Sequence, residues 1–216
     1  MEKIYETAYA KINLGLDVLG KRSDGYHEVR MVMQSVGLSD AVEIEEGEGL
    51  VVETDHSGLA GGPDNLAWKA AELLARCCGK IPNVHIRLNK KIFLAAGLAG
   101  GSSDAAAVMR GLSRLWQLDL TAPELEKLAA ELGSDIPFCI TGGTALAEGR
   151  GEILTELPEA PELLLVLAKP KLEVATGWVY GNFRQQKVNQ RPDIDGIIKA
   201  LEQSATGLLL ESCGNV

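Results

Sequence analysis

The chain has 216 residues, enough to bury one large core or two smaller ones. Its hydrophobic content of 46% and charged content of 24% are typical of a folded protein and exclude a disordered one. The chain has 30 acidic residues and only 21 basic ones, so its net charge is −9. This charge argues against a general nucleic-acid or membrane-surface binder.

Cysteine use and the N-terminal residues indicate a compartment. The four cysteines show no CxxC spacing and the chain has only three histidines, so we expect reduced thiols and no structural zinc site. The segment "MEKIYETAYAKINL" lacks the apolar core of a signal peptide, and the longest apolar run is too short to cross a membrane. We therefore expect a cytoplasmic protein.

The first part of the chain is dominated by alternating apolar and polar residues, the pattern of half-buried strands. In Ala10–Leu19 this alternation places Lys11 and Asn13 side by side on the polar face. The same reasoning predicts further strands at 29–36, 41–45, 50–54 and from 84 onward, and a helix within 61–80 that Asp64 or Asn65 caps and Gly79 ends.

Helices and strands are mixed in the rest of the chain. We predict helices over about 103–116, 121–133 (with a capping box from Thr121 to Glu124), 175–183 and 194–203, and strands within 135–149 and at 163–170. Strands come first and mixed elements follow, so the predicted fold class is α+β. The proline- and acid-rich segment Glu156–Glu162 suggests a boundary between domains at 1–157 and 158–216.

The glycine-rich segment "LAAGLAGGSSDAAAVMRGL", Leu94–Leu112, is the strongest chemical signal. It joins a strand to a helix without the lysine of a P-loop, so main-chain amides at the helix start would hold a phosphate themselves. A tight turn made of small residues explains the composition equally well. Lys90 and Lys91 could add charge near a nucleotide, although paired lysines at a strand end usually face solvent.

Three segments resemble motifs of the GHMP kinases. They are "YAKINLGLDVLGKRSDGYHEV" near the N-terminus, the glycine-rich "LAAGLAGGSSDAAA", and "GSDIPFCITGGTALAEGRGE". The resemblance runs from about Ala8 to the end of the chain. One difference is Phe93, because family members usually carry proline before the glycine loop.

The resemblance implies a catalytic pair. Asp135 matches the family's general base, which takes a proton from the substrate alcohol, and Lys11 matches the lysine that keeps this carboxylate ionised and steadies developing negative charge. Without the family motifs, Asp135 would be a helix cap or turn residue and Lys11 a solvated strand lysine.

The resemblance also implies how a cytidine diphosphate conjugate with a tertiary alcohol would be bound. Asn13 and Thr176 match residues that meet the polyol. Tyr26 and His27 match the pair that recognises cytosine, and Tyr180 matches a second aromatic residue against that base. The residues around Tyr180 could instead form an ordinary core face.

ATP is the implied phosphoryl donor. The residues that match its phosphate loop are Gly97, Gly100, Gly101, Ser102 and Ser103. Asn65 matches an adenine contact, with an N-cap as its structural alternative. Magnesium would be carried with ATP, and no protein ligand for it can be assigned from the sequence.

The family further implies a two-domain architecture, in which a ribosomal-protein-like first domain precedes a ferredoxin-like second domain. Family members continue beyond this chain, so we expect an incomplete second domain and reduced or no kinase activity. The alternatives are a GHMP kinase for mevalonate, homoserine or another small alcohol, a non-catalytic nucleotide-binding module, and, against the net charge, an RNA-binding domain. We expect no nucleic-acid or membrane partner, and a monomer or homodimer.

Overall fold

The computed structural model describes residues 3–172, 174 and 176–216, and the fold is a mixed α+β one, as the sequence predicts. Seven strands occur in this described part: β1 Lys3–Lys21, β2 His27–Glu46, β3 Leu50–Thr54, β4 Val84–Asn89, β5 Thr144–Glu148, β6 Ile153–Glu156 and β7 Gly214–Asn215. The α-helices are α1 Leu66–Cys77, α2 Gly100–Leu115, α3 Ala122–Ala129, α4 Ile136–Thr141, α5 Thr176–Asn182, α6 Ile194–Glu202 and α7 Thr206–Ser212.

The chain forms two compact units, each assembled from separate segments. The first unit contains Met1–Ala10, Val36–Leu94 and Leu98–Thr141, and the second contains Lys11–Ser35, Ala95–Gly97 and Gly142–Val216. The long strands β1 and β2 therefore contribute residues to both units. The domain boundary between residues 157 and 158 stays a prediction.

In the first unit, β4 pairs antiparallel with the end of β2 and parallel with β3. Helix α1 buries Ala67, Ala70, Ala71 and Leu74, which recur at the spacing of one helix face. This face belongs to the same buried cluster as the alanines of α2 and the apolar residues of β4. Small side chains on both helices let their backbones approach closely.

In the second unit, β5 pairs antiparallel with residues 31–34 of β2 and with β6, and β7 pairs parallel with β1 at Gly15. The core is a separate cluster that includes Leu14, Val32, Ile197 and Leu201. A Cβ on Gly15 would lie 2.5 Å from Ile197 Cδ1, so only glycine lets α6 pack this closely on β1.

The structure corrects several elements expected from the sequence. The run 136–141, predicted as strand, is helix α4, because a short apolar run does not distinguish the two and proline is compatible with a first helical turn. Residues 157–170 form neither helix nor strand, and Leu164 and Val166 are 99% and 90% exposed. Strands β6 and β7 and helix α7 were not predicted, and of the helix predicted at 175–183, Ala175 lies outside the described residues.

No helix among the described residues is long and apolar enough to cross a membrane.

Candidate active site

The glycine-rich loop ends in the open first turn of α2. The helix begins at Gly100, three residues earlier than predicted, and its N-cap Ala99 provides no side-chain cap. The Ser103 N–H is the donor that bonds back to the Ala99 carbonyl, at 2.8 Å. The preceding amides, from Ala99 to Ser102, are those that a helix leaves without intrahelical acceptors, and they form the positive end of its dipole. This turn can therefore hold an anion through main-chain groups.

The loop before α2 has an unusual backbone. Ala95, Gly97 and Ala99 have φ angles of 50°, 71° and 57°, so every second residue is left-handed. This conformation suits glycine but costs alanine about 1–2 kcal/mol at each position. Non-glycine residues persist there where the surrounding structure fixes them, which is common at ligand-binding sites.

Ser103 differs from the other residues of the loop. It is 1% exposed, and its hydroxyl donates to the Tyr9 carbonyl at 2.6 Å and lies 3.4 Å from Cys139 Sγ. Both its amide and its hydroxyl are thus engaged within the first unit. Gly101 is exposed and Ser102 is partly exposed, so these two are more accessible to a ligand.

Asp135 is half-buried and immediately precedes α4. Its carbonyl accepts a hydrogen bond from the Cys139 amide at 3.2 Å, so the backbone at Asp135 is already part of the first helical turn. Pro137 fits this turn because its missing N–H is not needed there. The carboxylate is therefore carried by the residue at the start of a short helix.

Arg110 of α2, which the sequence analysis did not single out, ties α4 to its surroundings. Its guanidinium donates to the Cys139 and Ile140 carbonyls at 2.7 and 3.3 Å, near the C-terminal end of α4. It also donates to the Thr7 carbonyl at 3.0 Å and pairs with Glu6 at 3.1 Å. A cation at a helix C-terminus satisfies carbonyls that have no intrahelical donor.

Lys11 and Asn13 are neighbours on one face of β1, as the alternation predicts. The Lys11 ammonium donates to Asn13 Oδ1 at 3.2 Å, and Lys11 is only 6% exposed. A strand lysine with no role would normally reach solvent, so its burial marks a specific environment. Lys11 belongs to the second unit and Asp135 to the first, and their convergence stays a prediction.

The residues expected to bind cytosine form two separate groups of contacts, both in the second unit. Tyr26 is 53% exposed, with the Arg150 guanidinium 4.8 Å from its ring centroid. The His27 ring lies 5.3 Å from the Tyr180 ring and 6.1 Å from the Phe183 ring. His27 and Tyr180, distant in sequence, are thus brought together, while Arg150 and Phe183 were not predicted because nothing in the local sequence marks them.

Asn65 and Thr176 have different surroundings. Asn65 caps α1, since its Oδ1 accepts from the Ala67 amide at 2.9 Å and its Nδ2 donates to the Ala60 carbonyl at 2.8 Å. Both ends of its side chain therefore have structural partners. Thr176 is exposed at the first residue of α5.

No group of three or more His, Cys, Asp or Glu side chains that could hold a metal ion occurs among the described residues.

Comparison with known proteins defines the class. Residues 65–143, which include α1, the glycine-rich loop and α4, match the family model of the GHMP kinases N terminal domain. A crystal structure of a homoserine kinase from Cytophaga hutchinsonii has the same fold, with a TM-score of 0.72 at 18% identity over 100% of this chain and 72% of that one.

Two further relatives narrow the class. A 4-diphosphocytidyl-2-C-methyl-D-erythritol kinase from Acetivibrio thermocellus is 47% identical over 100% of this chain and 77% of that enzyme. A crystal structure of 4-(cytidine 5'-diphospho)-2C-methyl-D-erythritol kinase is 34% identical, with a TM-score of 0.73 over 93% of this chain and 72% of that one. The chain therefore belongs to the GHMP kinases and, within them, to the 4-diphosphocytidyl-2-C-methyl-D-erythritol kinase family.

Proposed function

We propose that this protein transfers the γ-phosphoryl group of ATP to the tertiary 2-hydroxyl of 4-diphosphocytidyl-2-C-methyl-D-erythritol, a step in non-mevalonate isoprenoid precursor biosynthesis. The observation that carries the proposal is the open first turn of α2, where main-chain amides follow a strained glycine-rich loop. The 47% identity with a kinase of that name supports the choice of substrate.

The proposed chemistry is an in-line displacement at phosphorus. Asp135 takes the proton of the tertiary alcohol as its oxygen attacks the γ-phosphate, and ADP leaves. A crowded alcohol is a poor nucleophile unless a base is positioned next to it, so a carboxylate held at the first turn of α4 is a suitable base. Lys11 would balance the negative charge that develops on the transferred group.

The phosphate loop provides the remaining charge stabilisation. The amides of Gly100, Gly101 and Ser102 would bind phosphate oxygens, with Gly97 allowing the backbone to turn. Ser103 would support this turn through its hydrogen bond to Tyr9. Magnesium, carried with ATP, neutralises phosphate charge when bound. Because ATP is the donor, we place the reaction in the cytoplasm.

Recognition of the cytidine end is assigned to the aromatic residues of the second unit. Tyr26 presents an exposed ring for stacking on the base, and the nearby Arg150 restricts that ring's orientation. His27 is held by Tyr180 and Phe183, so its main chain can offer hydrogen bonds from a fixed position. Asn13 and Thr176 would bind the polyol, and Asn65, whose side chain caps α1, would contact adenine.

An ADP-release assay with three alcohols side by side tests the proposal. We expect release with the cytidine conjugate and background rates with mevalonate and homoserine, which give an aromatic site nothing to stack on. Preference for either of these alcohols would replace the substrate assignment. Background rates with all three, in a protein that still binds ATP, would favour a non-catalytic nucleotide-binding module.

A further inference from the structure

A buried cluster of three charged side chains, Asp40, Lys90 and Asp104, lies beside the first turn of α2. We propose that this cluster positions the phosphate loop for ATP. It connects β2 to the residues just before the loop and to those just after it. The inference rests on the proposed function, since it assigns these side chains a role in nucleotide binding.

Asp40 of β2 holds the entry to the loop. Its carboxylate accepts hydrogen bonds from the Lys91 amide and, at 2.8 Å, from the Ile92 amide, and it also accepts from the Lys90 ammonium. The Lys90 amide donates to Asp55 Oδ1 at 2.9 Å. Consecutive amides from 90 to 92 are thus fixed by carboxylates from other parts of the first unit.

Asp104 holds the exit. It lies in the second turn of α2 and accepts from the same Lys90 ammonium that Asp40 binds. Gly100 also lies against the cluster, because a Cβ on it would be 3.0 Å from Ile92 Cγ2 and 3.7 Å from Lys90 Nζ. The side chains of Asp40, Lys90 and Asp104 are at most 2% exposed, so solvent does not screen these bonds.

The cluster is poorly explained as a device for stability alone. Burying three ionisable side chains is expensive, and an apolar set of similar volume often stabilises a core better. Asp104 Oδ1 is buried without a hydrogen-bond partner among the described residues, which adds to that cost. A role in fixing the loop conformation explains the cluster better. The left-handed backbone of Ala95 and Ala99 persists only if the residues on both sides of the loop are held in place.

The test compares two substitutions at one position. Asp104→Ala removes the exit tie together with the unpartnered oxygen, while Asp104→Asn keeps an oxygen that can accept from Lys90. Lys90→Met removes the ammonium that joins Asp40 to Asp104 but keeps the bonds of the Lys91 and Ile92 amides to Asp40. Asp119→Ala changes an exposed carboxylate as the control. For each variant we would measure the dissociation constant of a non-hydrolysable ATP analogue, the thermal midpoint, and hydrogen exchange of residues 93–103 with and without the analogue.

We expect Asp104→Ala and Lys90→Met to weaken binding of the analogue by about tenfold or more and to reduce its protection of 93–103. Asp104→Asn should stay within about twofold of the wild type, as should Asp119→Ala. The inference would be overturned if Asp104→Ala bound the analogue within twofold of the wild type, or if Asp104→Ala and Asp104→Asn lost equal affinity. It would also be overturned if the loss of affinity in each variant simply matched its fall in thermal midpoint. If the wild-type chain binds no analogue, the proposed function fails and this inference fails with it.

Discussion

Asp135 is the residue on which the proposed chemistry depends most. Asp135→Asn keeps the shape of the side chain but removes its basicity, so we expect kcat to fall by about 10²–10⁴-fold, the usual contribution of a general base. The measurement is steady-state ADP release with the cytidine conjugate. Asp119→Asn, at an exposed position between α2 and α3, is the control. A kcat close to that of the wild type would remove Asp135 from this role.

Tyr26 tests recognition of the cytidine end separately from ATP binding. Tyr26→Ala removes the exposed ring near Arg150, and we expect weaker binding of the cytidine conjugate, by roughly 1–3 kcal/mol for one lost stacking contact. Affinity for ATP should be nearly unchanged. Tyr5→Ala is a matched control, because Tyr5 is a tyrosine of β1 that is 66% exposed. Calorimetric titration with each ligand measures both effects, and a loss confined to ATP would show that the cytosine assignment is wrong.

Asp104 gives the fold a predictable response to pH. Burial raises the pKa of its carboxyl from an ordinary value of 3.8 to about 7, and attraction to Lys90 opposes this rise without cancelling it, since Asp40 shares the same ammonium. At pH values between these two pKa values, Asp104 keeps its proton in the folded state and releases it in the unfolded chain. The stability from this group is therefore complete below pH 4 and is lost as the pH rises to about 7.

Asp104→Asn should remove that dependence while leaving Lys90 and Asp40, the charged groups that act on Asp104, in place. From pH 5 to pH 8, the free energy of unfolding of the variant should rise relative to that of the wild type by up to roughly 3 kcal/mol. Urea denaturation at the two pH values measures the change. An equal difference between the two proteins at both values would contradict the raised pKa.

Single residues were predictable where a motif or a periodicity fixed them. Alternation in β1 correctly placed Lys11 beside Asn13. The capping pattern of α1 left Asp64 and Asn65 as candidates, and Asn65 is the cap. Lys90 was not predictable in this way, because its burial depends on Asp40, 50 residues away in sequence. Phe183 was missed for the same reason, since only the folded chain brings its ring to His27.

At the scale of elements, the turn from the glycine-rich loop into α2 was predicted, but its first residue was not. The sequence favoured a start at about Ser103, after the run of glycines, whereas the helix begins at Gly100 after an alanine. Two glycines and no cap make a poor helix start on propensity alone. Gly100 packs closely on Ile92: a Cβ at this position would lie 3.0 Å from Ile92 Cγ2, so any larger residue would require Ile92 to shift.

Helix α4 is too short to be stable by itself, so its position depends on Arg110. Arg110→Lys keeps the charge but cannot reach several carbonyls at once. We expect kcat to fall by about tenfold through displacement of Asp135, with the affinity for ATP unchanged, and a loss of about 1–3 kcal/mol in the free energy of unfolding. Arg76→Lys in the last turn of α1 is the control. Normal kcat in a destabilised Arg110→Lys protein would show that Arg110 stabilises the fold without positioning the base.

At the scale of the whole molecule, the order of elements and three family motifs were enough to predict an α+β GHMP kinase fold. The division into units was harder to predict, because β1 and β2 each contribute to both units and no linker marks the change. Segment 163–170 was predicted as strand from its apolar residues, yet residues 157–170 form no strand. An apolar pattern specifies a strand only where a neighbouring strand is available to pair with it.

The central claim is that a phosphoryl group moves from ATP to a tertiary hydroxyl, and proton-coupled ³¹P NMR of the product mixture tests it most directly. A phosphate on a tertiary carbon has no three-bond coupling to a carbon-bound proton. We therefore expect one new phosphomonoester singlet, growing as the γ-phosphate signal of ATP declines, with the diphosphate of the cytidine conjugate intact. A new signal split by proton coupling, or inorganic phosphate beside an unchanged conjugate, would contradict the account.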